Sequence, residues 1–450
     1  MLKAEQILGL APDPASAKAG SQLATPAKWG GLGFSGDALW GECQGSGKTP
    51  YRTQIDLSEP AFKCTCPSRK FPCKHGLGLY LLRAAQPALF GTLEAPSWVA
   101  DWLDGRRDRR ERKDEKAAGK PSAQTPEDAA AAAAQVRKRE DKREQNIVDG
   151  LAELRTWLDD LARDGLATVR ARGPGYWETI AARMVDAQAG GLATRLRRVA
   201  GLCFQSTNAD WENQLSNELA AIYLLSHAYG QLDGLPPPLR CDVRGLVGWT
   251  VPQEEVLAQP PVADCWQVLA QYNADEGRIR SRTTWLRGIA SGRWALLLQY
   301  SAGTQGFDMQ LAVGTQFDAA LHFYPSAWPL RALVREVSGL REIDAALPAA
   351  PSLDAALDDH AGALAAQPFL ERYPMLLAGI TPDSATRSRL ITADGRQLTL
   401  QTSFRHTSHL LALSGGHPLT LVGEWDGAGL LPLSVWHDGR LYNIETDFGA

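Results

Sequence analysis

Three cysteines and one histidine fall within twelve residues, as Cys64-Thr65-Cys66-Pro67-Ser68-Arg69-Lys70-Phe71-Pro72-Cys73-Lys74-His75. The pattern is C-x-C-x6-C-x-H. Three thiolates and a neutral imidazole are a tetrahedral zinc set, with Zn–S near ~2.3 Å and Zn–N near ~2.0 Å. Each C-x-C or C-x-H pair is a short lever that brings two donors to one ion. The alternatives are buried thiols beside a surface histidine, or disulfides. The other cysteines, Cys43, Cys203, Cys241 and Cys265, are scattered singly. A disulfide framework also belongs to short secreted chains, which this is not. Zinc is the expected cofactor, held by Cys64, Cys66, Cys73 and His75.

Four donors close the coordination shell, whereas a catalytic zinc keeps three protein ligands and an open position. The sequence contains no H-E-x-x-H helix to supply a base. The expected role is structural, with no catalytic residue assigned. Lys63, Arg69, Lys70 and Lys74 surround the ligands, with Phe62 and Phe71 between them. Basic side chains interleaved with aromatics can grip a phosphate backbone and stack on bases. They can equally face a protein partner, or be solvated lysines around a small core.

The elements that must position the ligands are legible. Ala38–Cys43 and Tyr51–Asp56 alternate as two strands of a hairpin, and Phe62 to Thr65 forms a third. After His75, Leu77, Tyr80, Leu81 and Ala84 recur at helical spacing until Pro87. The finger is therefore ββα-like, joining a strand end to a helix start. Two nearby motifs are decoys. Gly31-Leu32-Gly33-Phe34-Ser35-Gly36 spells G-x-G-x-x-G, but a strand follows it instead of the helix that must hold a pyrophosphate, so it reads as a loop. Gly45-Ser46-Gly47-Lys48-Thr49 resembles a P-loop end, but Glu42 stands where its first glycine belongs and a strand follows.

The finger and its flanks, Leu39–Gly45, Tyr51–Asp56 and Lys74–Leu82, resemble the SWIM zinc finger, specifically long bacterial SWIM proteins encoded beside MoxR-type ATPases and von Willebrand A-domain proteins. The resemblance covers about the first hundred residues. It implies the same four ligands, protein or DNA binding by the finger, and an ATPase and an A-domain protein as partners.

The chain has 450 residues, 44% of them hydrophobic, enough for several domains with real cores. Formal net charge is −4, so there is no global basic signature for nucleic acid. No apolar run approaches the ~20 residues of a membrane span, and the N-terminus lacks a secretory pattern. Free thiols suit a reducing cytosol, so the expected location is cytoplasmic, without membrane contact.

The expected class is a multidomain α+β protein. Residues 1–103 hold the finger (about 38–90), where Trp98, Val99, Trp102 and Leu103 make an apolar helix stripe. Residues 104–144 are a charged, alanine-rich linker, part disordered and part exposed helix, with the helix favoured by the run Ala129–Ala134. Residues 145–235 are helical, led by Ile147, Leu151, Leu154, Leu158 and Leu161, and closed by Pro236-Pro237-Pro238. Residues 236–450 read as one or two antiparallel β units, with helices at Leu330–Val337 and Leu353–Ala365 and strands including Leu311–Val313 and Arg278–Arg287. His406, His409 and His417 cluster on an expected hairpin, and Asp358-Asp359-His360 reads as a polar helix end. An enzyme sited in this β-rich half is the rival reading. The leading one is a non-enzymatic zinc-dependent interaction protein.

Overall fold

The computed structural model describes the chain except residues 1, 37, 46, 48, 58–60, 69, 118–125, 206–210, 277–278, 303–306, 308, 344–346, 348–351 and 445–450. The fold is α+β: a small N-terminal sheet with its helices, a helical middle and a β-rich C-terminal half. Among the described residues no helix is long and apolar enough to cross a membrane.

The N-terminal module contains α1 (Ala4–Gly9), α2 (Pro14–Leu23), β1 (Trp29–Ser35), β2 (Ala38–Cys43), β3 (Tyr51–Asp56), β4 (Ala61–Cys64), α3 (Lys74–Ala85), β5 (Gly91–Thr92) and α4 (Ser97–Ala117). The sheet runs β4-β3-β2-β1-β5. Alternation sends Leu39, Ile55 and Phe62 inward onto Leu77, Tyr80 and Leu81 of α3. Ala38 and Trp40 face outward and are covered by Val99 of α4, with Trp98 and Leu103 alongside. The expected tryptophan stripe is thus core. The G-x-G-x-x-G run is strand, not loop. A Cβ on Gly33 would lie 2.4 Å from the Trp40 ring, so this glycine makes room for an indole, not a phosphate.

α1 and α2 seal the far side of α3, burying every residue from Gly76 through Leu82. The seal is a close glycine contact. A Cβ on Gly78 would sit 2.8 Å from Leu23 Cβ, and one on Gly20 would sit 2.7 Å from Leu77 Cβ. Gly78→Val should therefore overpack the helix pair and cost about 1–3 kcal/mol, read by chemical denaturation of the full chain.

The middle comprises α5 (Pro126–Asp164), α6 (Pro174–Asp186), α7 (Gly190–Gln205), α8 (Trp211–Tyr229), α9 (Pro237–Val247) and α10 (Gln253–Leu257). The five leading residues from Ile147 to Leu161 are buried in its core, together with Trp177, Ile180 and Leu196. Described parts of residues 104–144 are helix, including the alanine run expected to be helical, and α5 runs unbroken into the bundle; Gly119-Lys120-Pro121-Ser122 lies outside the described residues. One expectation needs correcting: the proline triplet does not close the bundle. Pro237 opens α9, because a first-turn proline lacks only an N–H that has no helical partner. Val243 and Val247 of α9 then join the core. Trp249 caps this end, sandwiched by Arg143 at 4.2 Å and Arg244 at 4.1 Å, its Nε1 donating to the Tyr229 hydroxyl at 2.8 Å.

The C-terminal half is two β units. The first has β6 (Val262–Glu276), β7 (Ile279–Gly288), β8 (Trp294–Ala302), β9 (Thr315–Phe323), β10 (Ala332–Val334) and β11 (Ser338–Glu342). After α11 (Leu353–Ala366) come β12 (Tyr373–Pro382), β13 (Arg389–Ile391), β14 (Gln397–Thr399), α12 (Thr407–Ser414), β15 (Leu419–Trp425), β16 (Leu430–His437) and β17 (Arg440–Asn443). Their topologies coincide. In each unit the first strand is central, the next two form a meander on one side, and the fourth pairs antiparallel on the other. The fourth strand is then flanked by β16 in one unit, and by β10 and β11 in succession in the other. In each, the meander's far end meets that flanking chain in one parallel bridge, Leu296 with Arg331 and Leu400 with Leu430. The half is a structural duplication.

Three local expectations fail here. Leu330–Val337 contains the short strand β10 instead of a helix, because it pairs with Leu321–Phe323. Leu311–Val313 forms no strand. His406 and His409 do not sit on a hairpin: His406 precedes α12 and His409 is in it. The strand expected over Arg278–Arg287 is β7, with Arg278 outside the described residues.

Candidate metal centre

β4 delivers Cys64 as its last residue. Thr65 prolongs the ladder, its N–H donating to Arg52 O at 3.0 Å and its Oγ1 accepting from Arg52 N at 3.0 Å. This holds the C-x-C lever at the strand end. The chain crosses through Pro67–Pro72 to Cys73, the N-cap of α3, and His75 lies in the first turn. A Cβ on Gly76 would stand 2.9 Å from Phe62 Cδ1, so the residue after His75 has little room for a side chain.

These elements bring the four donor atoms within 4.8 Å of one another. Cys64 Sγ is 3.7 Å from His75 Nδ1. A tetrahedron with ~2.3 Å arms has edges of about 3.8 Å, so small movements close the set on one ion. Cys73 and His75 are buried, and Cys64 and Cys66 are half-buried. Thr53 Oγ1 lies 3.3 Å from Cys64 Sγ, and the Tyr51 ring packs 5.0 Å from the His75 ring. Sequence reasoning assigned Thr53 and Tyr51 no role at the metal. Their signal was the β3 alternation, which puts both on the face that carries Cys64.

Crowding redistributes protons in the metal-free cluster. Hydrogen bonds with Cys64 and Cys73 pull the Cys66 thiol down, and hydrogen bonds with Cys64 and Cys66, with burial, push Cys73 up. Burial lowers His75, but its bonds to Cys64 and Cys66 outweigh that and raise it to about 9. A folded value above the ordinary 6.5 means that the metal-free fold holds this proton more tightly than the unfolded chain. That stabilisation is complete below about 6.5 and is lost as pH rises through about 9. Zinc must displace the same proton. Zinc uptake at neutral pH should therefore release about two protons or more, from His75 and Cys73 at least, and weaken with acidification. Calorimetric titration in buffers of different ionisation enthalpy checks this.

Three sulfurs and one nitrogen leave no open position, so the site is a structural zinc centre tying a strand end to a helix start. The comparisons agree. Residues 51–84 match the SWIM zinc finger, and residues 142–247 match the SWIM-associated four-helix bundle domain. No curated protein matches the chain, and neither does any solved structure.

The surrounding residues separate into groups. Lys63 on β4 and Lys74 at the start of α3 are exposed. Lys70 is paired with Asp13 at 2.8 Å, and Arg69 lies outside the described residues. Phe62 is buried and meets Phe71 edge to face at 6.2 Å, so both serve the core. Ser46 and Lys48 of the P-loop look-alike are likewise outside the described residues, and the rest of it links β2 to β3.

The histidines elsewhere do not assemble a second centre. His406 and His409 lie with tilted rings, centroids 5.4 Å apart, but the finger holds the only close group of three or more potential ligands among the described residues. His360 is buried against the Tyr373 ring at 5.4 Å, and burial lowers its pKa, as befits a core imidazole.

Proposed function

We propose that this chain is a non-enzymatic, zinc-dependent interaction protein whose finger engages a partner protein, while the bundle and β units dock it into a larger assembly. The observation that carries this reading is what the zinc holds in place: the exposed loop residues Thr65, Pro67, Ser68 and Lys70, against a module whose helix is sealed. The loop, flanked by Lys63 and Lys74, is what remains for a partner.

Two features favour protein over nucleic acid. Zinc-finger helices read DNA by lying in the major groove, and α3 is covered on both sides. Strand-binding proteins stack bases on exposed aromatics, and Phe62 and Phe71 pack on each other. A MoxR-type ATPase and an A-domain protein as the particular partners rest on the sequence resemblance alone. A cytoplasmic location belongs to the same proposal, since three unoxidised metal-binding thiols suit a reducing compartment.

Affinity capture of the zinc-loaded full chain, repeated after chelation, tests the reading. The expected result is a protein partner lost with the metal and lost in a Lys63→Glu/Lys74→Glu variant. Zinc-dependent retardation of an oligonucleotide in a mobility-shift titration would overturn the choice of protein.

A further inference from the structure

The four ligands are not equally protected. Cys73 and His75 are 6% and 5% exposed, whereas Cys64 and Cys66 are half-buried. The two half-buried cysteines differ in anchorage. Cys64 closes a paired strand and touches Thr53 Oγ1, while Cys66 lies past the end of that strand. The three sulfurs lie within 4.8 Å of one another, and six residues separate Cys66 from Cys73 in the chain. Zinc-bound thiolates remain nucleophiles, and exposure selects which of them an oxidant meets.

We infer that the zinc loop carries a reversible oxidation site, with Cys66 as the sulfur first oxidised and Cys73 as the sulfur that captures it in a disulfide. The oxidant class is a peroxide. The Cys66 thiolate attacks hydrogen peroxide, the O–O bond breaks, and a sulfenic acid and hydroxide form. The Cys73 thiolate then attacks the sulfenic sulfur, the S–O bond breaks, and a second hydroxide leaves. Two thiolates lose two electrons in all, and peroxide gains them. That disulfide would leave only Cys64 and His75 as donors, too few to hold the zinc.

The fold confines the consequence to the loop. Leu77 through Leu82 of α3 are buried, packed with Leu39, Ile55, Phe62 and Ile7, none of which is a potential ligand of the metal. Oxidation therefore frees the segment between Cys64 and Cys73 while the module around it stays folded. Cys43 and Cys203 are buried, and Cys241 and Cys265, half-buried like Cys66 but outside the four-ligand cluster, serve as internal references.

The test exposes the zinc-loaded full chain to hydrogen peroxide. Released metal is read with a chromogenic chelator, cysteine states by differential alkylation and mass spectrometry, and local opening by hydrogen exchange. The expected result is one zinc lost per Cys66–Cys73 disulfide, protection lost over residues 65–73 and kept over Leu77–Leu82, and full recovery with reductant and zinc. Cys66→His keeps a fourth donor and should hold its metal against peroxide. The inference fails if zinc stays bound while Cys241 and Cys265 oxidise. It also fails if Cys64 replaces Cys73 in the disulfide, if only sulfinic acid forms, or if Cys66→His loses zinc as fast as the parent.

Discussion

Chelating the zinc from the full chain should raise amide exchange in residues 65–75 about 1,000-fold while leaving the second half of α3 protected. The size follows from mass action. A ligand present at a thousand times its Kd stabilises the state that binds it by about 4 kcal/mol, and that stabilisation disappears with the metal. Zinc-finger peptides unfold completely without metal because the ion supplies about 10–16 kcal/mol of apparent binding energy and little else holds them. Here Leu39, Ile55, Leu77, Leu79 and Leu82 are fully buried in a core that α1 and α2 complete. The metal dependence should be local for that reason. Cys73→Ser should abolish stoichiometric zinc uptake and reproduce the chelated exchange pattern in the presence of zinc. His75→Ala should do the same with an added loss, because a buried ring packed on Tyr51 is removed. Cooperative melting of the whole N-terminal module on chelation would refute the independence of its core.

The ligands were readable because metal chemistry restricts both residue type and spacing within one short segment. The strands around them were readable because Tyr51, Thr53 and Ile55 alternate, and α3 because Leu77, Tyr80 and Leu81 recur at helical spacing. The cover on α3 was not, since α2 is a run of Ala, Ser and Gly whose burial comes from backbone approach at Gly20 and Gly78 and leaves no apolar stripe. β1 was hidden for the same reason: its glycines make room for Trp40, a residue on the next strand. Phe62 and Phe71 could be read either as a stacking surface or as core, because a sequence does not say which face a ring occupies. The duplication of the β units was invisible because it lies in strand order. β6 pairs with β9 some fifty residues later, β12 with β15 likewise, and no residue pattern records either pairing.

Glu424→Ala should cost about 3–5 kcal/mol, the largest loss expected of any single side chain at the seam between the β units. Glu424 is 1% exposed on β15 of the second unit. Its Oε1 accepts from the Trp285 indole at 2.7 Å and from the Tyr272 hydroxyl at 2.9 Å, both in the first unit, and Arg372 approaches Oε2 at 3.6 Å. One carboxylate therefore answers two donors across the seam and the nearby charge of a guanidinium. Around it Leu269, Leu376, Val422 and Leu433 form the shared apolar core. Removing the carboxylate leaves the indole N–H without its acceptor in that core, at roughly 1–3 kcal/mol for each buried donor left unmade, and opens a cavity besides. Glu424→Gln keeps an acceptor at the same place and should lose distinctly less, mainly the charge opposite Arg372. The difference matters because a uniform loss in both variants would mean that shape alone holds the seam. Equilibrium unfolding followed by tryptophan fluorescence, with Trp285 as a reporter inside the seam, measures both. If Glu424→Ala were as stable as the parent, the two β units would be held by their apolar faces, and the polar join at Glu424 would carry no energy of its own.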